Sequence, residues 1–438
     1  MRASRSLDRV AAIFDEPNLV ANAGLIVPAT LAQHLGLEGL VNSKVHLQDS
    51  SAGCLPGRKA LTLVHSMIAG GDSIDDANVL RAGASAAVLG HIVMAPSTLG
   101  TFLRGHSFGN VRQLDSVNGE AIRRAWTAGA GPDPTTPLVI DIDSTICRVF
   151  GHAKQGATFG YTKVRGYHPL LAFRADTGEI LATRMRKGSA NTARGMKRFL
   201  QEVRGHLAHA GWTGKIVLRC DSGFWSKSVI EFCDKHSWEY SITVRQIPDI
   251  RDRIADIGSD GPRWVPMLDY PDTGICEIAE TEYDDNTADR RLIVRRVATL
   301  DRQQALFPDW AHHAFVTNRQ GPIRAEDEHH RAHAVCELAI RDLKENGLGH
   351  CPSGKFNANG AWLALATLAH NLIRWADTIT TNSPRLITAA TTRRTLIATP
   401  GRISHSGRQH TLHLPTLWPW AEQFTTTLNQ LRTIKLTT

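Results

Sequence analysis

Three acidic residues, Asp143, Asp221 and Glu337, are the side chains whose type and setting point to chemistry. Asp143 lies in Leu138-Val139-Ile140-Asp141-Ile142-Asp143-Ser144-Thr145, a β-branched apolar run that meets acid at alternate positions. Side chains alternate across a strand, so Asp141 shares a face with Asp143 and rivals it for the same role. Asp221 ends the apolar run Lys215-Ile216-Val217-Leu218-Arg219-Cys220, where a buried strand opens into the turn Ser222-Gly223-Phe224. Glu337 falls on a predicted helix with His330, His333 and Lys344. At about 100° per residue these four occupy an arc of roughly 60° and form one polar stripe. Ala332, Val335, Cys336, Ala339 and Leu343 gather on a different arc and give that helix its core side. Three carboxylates brought to one point suit phosphoryl transfer with two divalent ions about 4 Å apart, which activate a water or a 3′-hydroxyl and stabilise the leaving oxygen. Carboxylate oxygens are the ligands that hard Mg²⁺ prefers.

The 438 residues are too many for one ordinary core and suggest two to three folding units. Lys and Arg outnumber Asp and Glu, 50 to 42, and the net charge of +8 favours a polyanionic partner. The excess concentrates near the end, where Arg385, Arg393, Arg394, Arg402, Arg408, Arg432 and Lys435 face Glu422 alone, a composition that can follow a phosphate backbone. The seven cysteines form no C-x-x-C pair and sit mainly in apolar contexts, as reduced core residues of a cytoplasmic protein do. The run Met1-Arg2-Ala3-Ser4-Arg5-Ser6-Leu7-Asp8-Arg9 lacks the apolar core of a signal peptide, and the apolar stretches around Ala84–Met94 and Ala361–Trp375 are short or broken by His and Arg. No membrane span is predicted.

Five segments follow from the patterning. Residues 1–127 read as a helical region, with helical spacing in Leu31–Leu40, Ala60–Ala69 and Ala77–Gly90 and a capped short helix at Ser97–Arg104. Such short helices suit either a helix-turn-helix DNA reader or a plain bundle. The Gly/Pro-rich stretch Ala128–Pro134 marks a boundary. Residues 135–246 then read β-β-β-α-β-α-β: the Asp143 strand, Gly166–Phe173, Glu179–Met185, a helix near 193–210, the Asp221 strand, a helix near 226–236 and Tyr240–Arg245. This is the order of an RNase H-like α/β core, a mixed sheet flanked by helices on which carboxylates from neighbouring strands converge. Residues 247–319 carry short alternating runs such as Gly274–Glu280 and Arg291–Val297, a β-rich insertion. Residues 320–380, with a helix at Trp362–Asp377, complete the core, and 381–438 form a basic tail.

The motifs resemble those of DDE transposases of bacterial insertion sequences, specifically the group with Y-x2-R-x3-E-x6-K on the helix of the third acid. Here the register is His330-x2-His333-x3-Glu337-x6-Lys344, with Glu and Lys matched and both Tyr and Arg replaced by His. Asp141-Ile142-Asp143-Ser144-Thr145, Gly166-Tyr167-His168-Pro169-Leu170, Arg219-Cys220-Asp221-Ser222-Gly223-Phe224 and Ala369-His370-Asn371-Leu372 look like the insertion-sequence 1380 family, over roughly residues 20 to 380. The resemblance implies that Asp143, which precedes Ser-Thr, Asp221 and Glu337 are the catalytic carboxylates and metal ligands. It implies two Mg²⁺ ions, for which Mn²⁺ can substitute, and a DNA-phosphate contact by Lys344. His330 and His333 are expected to donate to phosphate with pH-dependent charge, and Arg341 to supply the missing fixed charge. The implied activity is cleavage at transposon ends followed by transfer of the 3′-hydroxyl into target DNA. Double-stranded DNA, as inverted repeats and target, a homodimer in the DNA complex, a helical amino-terminal DNA-binding region and a cytoplasmic, nucleoid-associated site of action go with it.

Other assignments compete. An RNase H-like nuclease without strand transfer, or a DNA-binding protein that has lost its chemistry, would carry much of the same pattern. His329, His330 and His333 with Cys336 present a zinc-like spacing without a clear set of four ligands. Arg184, Arg186 and Lys187 either line a DNA channel or solubilise a sheet edge. Trp264 and Trp310 either stack on a flipped base or pack a core. Glu326-Asp327-Glu328 suits helix capping or solvated charge. No G-x-x-x-x-G-K-[ST] loop is present, which argues against an ATP-driven motor.

Overall fold

The computed structural model describes residue 7 and residues 10–435, apart from 161, 259–262, 269–274, 284–289, 299–309 and 382–385. Gly274, Arg385 and the run Met1–Arg9 except Leu7 therefore lie outside the described residues. Among the described residues, the strands that position the acids are β1 (Leu138–Ser144), β2 (Leu170–Arg174), β3 (Ile180–Arg184), β4 (Ile216–Cys220) and β5 (Glu239–Thr243). Four more, β6 (Val265–Pro266), β7 (Ile275–Glu282), β8 (Arg291–Ala298) and β9 (Trp310–Thr317), join them in one mixed sheet. Its order is β6-β7-β8-β9-β5-β4-β1-β2-β3. β1, β4 and β5 run parallel, whereas β2 and β3 form an antiparallel meander against β1. The strands of 265–317 are thus no separate body: β9 pairs with β5, Phe315 opposite Thr243, and extends the same sheet.

Both faces of the central strands are covered, which is why their sequences read as nearly continuous apolar runs. Leu138, Ile140, Ile142, Leu170 and Ala172 face one core with Phe199, Leu200 and Val203 of the helix Met196–His209. Leu171, Phe173 and Ile180 face the other, with the amino-terminal helices and the long closing helix. That closing helix is Phe356–Thr381, in which every residue from Ala358 to Ala376 is buried. A helix apolar all round belongs inside a protein, and the helices Pro56–Ile68 and Phe108–Ala125 wrap it. One buried cluster therefore joins residues as distant as Val20, Leu63, Val117, Leu372 and Leu431.

Polar side chains lock this layer to the sheet. Glu179 accepts from the indoles of Trp126 and Trp375 at 3.0 and 2.7 Å and from Arg174 at 2.9 Å. Asn371 accepts from the Ile180 N–H at 2.8 Å and donates to its carbonyl at 2.9 Å, as an additional strand would. His370 beside it meets the Gly178 carbonyl at 2.8 Å. The His-Asn pair of the closing helix is therefore a docking device.

Several sequence expectations change. The strand expected over Gly166–Phe173 divides at Pro169, which lacks a backbone donor; Arg165–Tyr167 joins a small separate sheet and β2 begins at Leu170. The helix expected over Leu31–Leu40 breaks at Gly36, whose φ of 62° is left-handed. The end of the chain is no tail. A hairpin of Gly401–Ser406 and Gln409–His413 pairs with Leu19–Val20, and the helix Ala421–Arg432 buries Phe424, Leu428 and Leu431 in the amino-terminal core. Their spacing of four and three residues gives that helix an apolar stripe. No single helix among the described residues is long and apolar enough to cross a membrane.

Candidate active site

The β1–β4 register brings the first two acids together. Partners run from Leu138 opposite Ile216 to Ile142 opposite Cys220, an offset of 216 − 138 = 78. Asp143 and Asp221 stand one step further along with the same offset, 221 − 143 = 78. Adjacent strands lie about 4.8 Å apart, so two carboxylates end neighbouring parallel strands side by side. Asp221 Oδ1 accepts the Gly223 N–H at 2.9 Å, which shapes the turn that ends β4. A Cβ on Gly223 would come within 2.6 Å of Thr192 Cγ2, so this turn admits no side chain without a shift. Asp143 Oδ1 accepts the Ser144 N–H at 2.6 Å, and its Oδ2 lies 3.6 Å from the Cys336 thiol. Burial first, and then the nearby Asp221 charge, push the Asp143 carboxyl above the ordinary carboxylate range.

Asp141 shares that face but is already engaged. Its register partner is Arg219, which donates to both of its oxygens at 2.7 Å. Asp141 is 1% exposed and Arg219 3% exposed. His333 Nδ1 donates to the same carboxylate at 2.9 Å, and the third Arg219 nitrogen, Nη1, donates to the His329 carbonyl at 2.6 Å. This buried bidentate pair clamps β1, β4 and the segment of the third acid together.

That segment is not one continuous α-helix. Ile323–Arg331 is α-helical, Ala332–Val335 is a 3₁₀ turn, and Cys336–Leu343 is α-helical again. Each 3₁₀ residue advances about 20° more than an α-helical one, so four of them turn the expected stripe by about 80°. The stripe of His330, His333, Glu337 and Lys344 is consequently divided. His330 turns to the sheet: its ring nitrogens meet Ser241 Oγ at 2.6 Å and Thr243 Oγ1 at 2.9 Å, and it stacks on Phe315 at 4.2 Å. Burial, followed by His333 and Arg219, holds its pKa down to about 3, so the ring is neutral. With both nitrogens engaged, His330 occupies a packing position and not a phosphate site. His333 lies between Asp141 and Cys336, whose thiol is 3.9 Å from its Nε2. Glu337 and Arg341 are exposed on Cys336–Leu343, and Lys344 follows, partly exposed. This helix packs on β1 through Cys336, which touches Asp143, and Glu337 is the next residue of the same helix, on its exposed side.

The zinc spacing finds no matching geometry. His330 points into the sheet, and among the described residues no three His, Cys, Asp or Glu side chains are arranged to hold a metal ion. The same holds for the three acids: Asp143 and Asp221 are neighbours at strand ends, and Glu337 lies on the adjoining helix without closing a ligand set. Their chemistry suits a hard divalent cation, which would relieve the repulsion and desolvation that Asp143 carries.

The surroundings contain side chains whose part in the site sequence reasoning missed. His168 is fully buried, donates through Nδ1 to the Ala190 carbonyl at 3.0 Å and accepts the Ser144 hydroxyl at Nε2 at 2.8 Å, which steadies β1 beside Asp143. Arg219 and Cys336 complete the shell. A signal for Arg219 was present in the equal offsets of Asp141–Arg219 and Asp143–Asp221, but only pairing gives it meaning. Trp264 and Trp310 sandwich Arg296, which lies 4.1 and 4.2 Å from the two ring centroids, an arrangement that employs both indoles in the fold.

A family model described as transposase DDE domain group 1 matches residues 3–436. No curated protein matches the chain. Among solved structures the chain is similar to a piggyBac transposase in a cryo-EM structure of its synaptic complex with hairpin DNA. The identity is 10%, 87% of this chain and 82% of that chain are covered, and the TM-score is 0.45.

Proposed function

The chain belongs to the family of transposases with a group 1 DDE domain, and from that premise we propose that it cuts DNA at the ends of a mobile element and joins the freed 3′-hydroxyl to target DNA. The observation that carries this proposal is the side-by-side placement of Asp143 and Asp221 at the ends of adjacent parallel strands, with the Glu337 helix packed against β1. The order β3-β2-β1-β4-β5, antiparallel on one side of β1 and parallel on the other, supports an RNase H-like core across 135–246 and 320–380.

Asp143, Asp221 and Glu337 would hold two Mg²⁺ ions, or Mn²⁺ in their place. When bound, these ions activate the attacking water or 3′-hydroxyl and stabilise the leaving oxygen. The protein's own part is positioning. The Asp141–Arg219 pair keeps β1 and β4 in the register that aligns the two aspartates, and the Ser144–His168 bond orients the end of β1. Glu337 approaches from a helix that the His333–Asp141 bond ties to the same strand. Lys344 and Arg341 are the residues of this helix left to meet a DNA phosphate. The helical amino-terminal region, which shares a core with the closing helix, is assigned to recognition of terminal DNA, and a homodimer to pairing of two ends. The acting place is the cytoplasm, at the nucleoid.

Incubation of the protein with Mg²⁺, DNA carrying the element's own inverted repeats and a circular target tests this. Joined products of ends and target are expected. Cleavage that stops at nicked ends would point to a nuclease without strand transfer, and binding without cleavage to a DNA-binding protein.

A further inference from the structure

Arg186, beyond the end of β3, is a buried cation without a counter-charge among the described residues. It is 8% exposed; its Nε donates to the His168 carbonyl at 2.8 Å, and its Nη1 to the carbonyls of Asn191, Thr192 and Arg194 at 3.0, 2.9 and 3.1 Å. The remaining Nη2 is buried with no hydrogen-bond partner. A guanidinium has five donors, and a buried one without anion or full hydrogen bonding is costly.

The loop it gathers, residues 187–195, is firmly seated beside the candidate site. His168 takes hold of the Ala190 carbonyl and Thr158 Oγ1 accepts the Ser189 N–H at 2.7 Å. A Cβ on Gly188 would lie 2.2 Å from the carbonyl oxygens of both Gly166 and Thr158, so the backbone is flush with the neighbouring strands. Thr192 presses on Gly223 in the Asp221 turn. The loop exposes Lys187 and Arg194, for which no ion pair exists among the described residues. A cavity of about 330 Å³ is lined by Arg184, Arg186, Lys187, Ser189 and Arg194 together with Ala190 and Gly195, with no acidic residue among the described residues that line it. Arg184 is paired with Glu202, which leaves three cations without an acidic partner around a space large enough to admit a phosphate group.

We propose that this pocket receives a backbone phosphate of the DNA strand that passes the Asp143–Asp221 pair, contacted by Lys187 and Arg194 over the buried charge of Arg186. The proposal rests on the DNA-acting function above and adds to it a phosphate seat on the β3 side of the aspartates.

The test uses the full chain, a fluorescent duplex and no divalent ion, so that binding is read without cleavage. Arg186 is part of the fold, so the exposed pair is changed, in Lys187→Ala/Arg194→Ala, with an unchanged melting temperature as control. Loss of two phosphate contacts lowers the slope of log affinity against log salt by about 1–2, and weakens binding about tenfold or more at moderate salt. Unchanged affinity and slope would overturn the proposal. So would inorganic phosphate that binds the wild type at matched ionic strength without weakening its hold on the duplex, which marks a free-anion site. A wild type that binds no duplex at all would instead overturn the DNA-acting function itself.

Discussion

Arg219 donates to both carboxylate oxygens of Asp141 across the β1–β4 register, while two residues further on Asp143 and Asp221 stand side by side with no such clamp. The same pairing thus yields one satisfied ion pair and one strained acid pair. The first holds the sheet, and the second is available for chemistry.

Asp141 is accordingly expected to matter for stability. Asp141→Ala leaves Arg219 as a buried charge without its partner and should cost about 3–5 kcal/mol in urea unfolding. A variant as stable as the wild type but unable to cleave would return Asp141 to the list of metal ligands.

Asp143 should behave in the opposite way. Its carboxyl lies above the ordinary range, so the folded state retains a proton that the unfolded state releases. Stability from this group is therefore greatest below the ordinary carboxylate pKa and is lost as pH rises through the raised folded value. In the absence of divalent ions, Asp143→Asn should melt at a higher temperature than the wild type at pH 8, with the difference shrinking toward pH 4. An equal or lower melting temperature at pH 8 would contradict the strain assigned to this pair.

His330 is expected to serve the fold. Its loss in His330→Ala leaves the Ser241 and Thr243 hydroxyls without their partner and removes the stack on Phe315, for a cost of about 2–3 kcal/mol. The salt dependence of DNA binding should not change, because a neutral buried ring releases no counterions. A reduced salt slope with unchanged stability would restore a phosphate contact.

The parts of this arrangement that the sequence made legible are those with strong local periodicity. β1 and β4 announce themselves because parallel strands covered on both faces need unbroken apolar runs, and each run ends in its acid. The pairing between them leaves no local trace: the Ser-Thr that follows favours Asp143 over its rival Asp141, but nothing in the run Leu138–Thr145 shows that Arg219 stands opposite Asp141. Ala332-His333-Ala334-Val335 contains no Gly or Pro to mark a 3₁₀ turn, and a continuous helix was the natural expectation. Arg186 is written like any basic residue at a strand end, since the carbonyls that surround it come from a loop with no periodicity. In the carboxyl-terminal segment the many Arg and Thr residues masked the spacing of Phe424, Leu428 and Leu431.

Glu337 is exposed, and among the described residues it has no hydrogen bond or ion pair on which the fold depends. Glu337→Gln is expected to fold and bind DNA ends like the wild type, with cleavage reduced by about a hundredfold or more from the loss of a metal-positioning ligand. Gel-shift and cleavage assays on the same preparation check both halves, and a variant that cleaves at the wild-type rate would remove Glu337 from the site.

The most direct measurement is end cleavage by Asp143→Cys, Asp221→Cys and Asp141→Cys in Mg²⁺ and in Mn²⁺. A thiolate is a poor ligand for hard Mg²⁺ and a better one for the softer ion. The account predicts that Asp143→Cys and Asp221→Cys bind DNA ends, are inactive in Mg²⁺ and regain cleavage in Mn²⁺, whereas Asp141→Cys shows no metal-specific rescue. Rescue of Asp141→Cys alone, or full Mg²⁺ activity in Asp143→Cys, would contradict it.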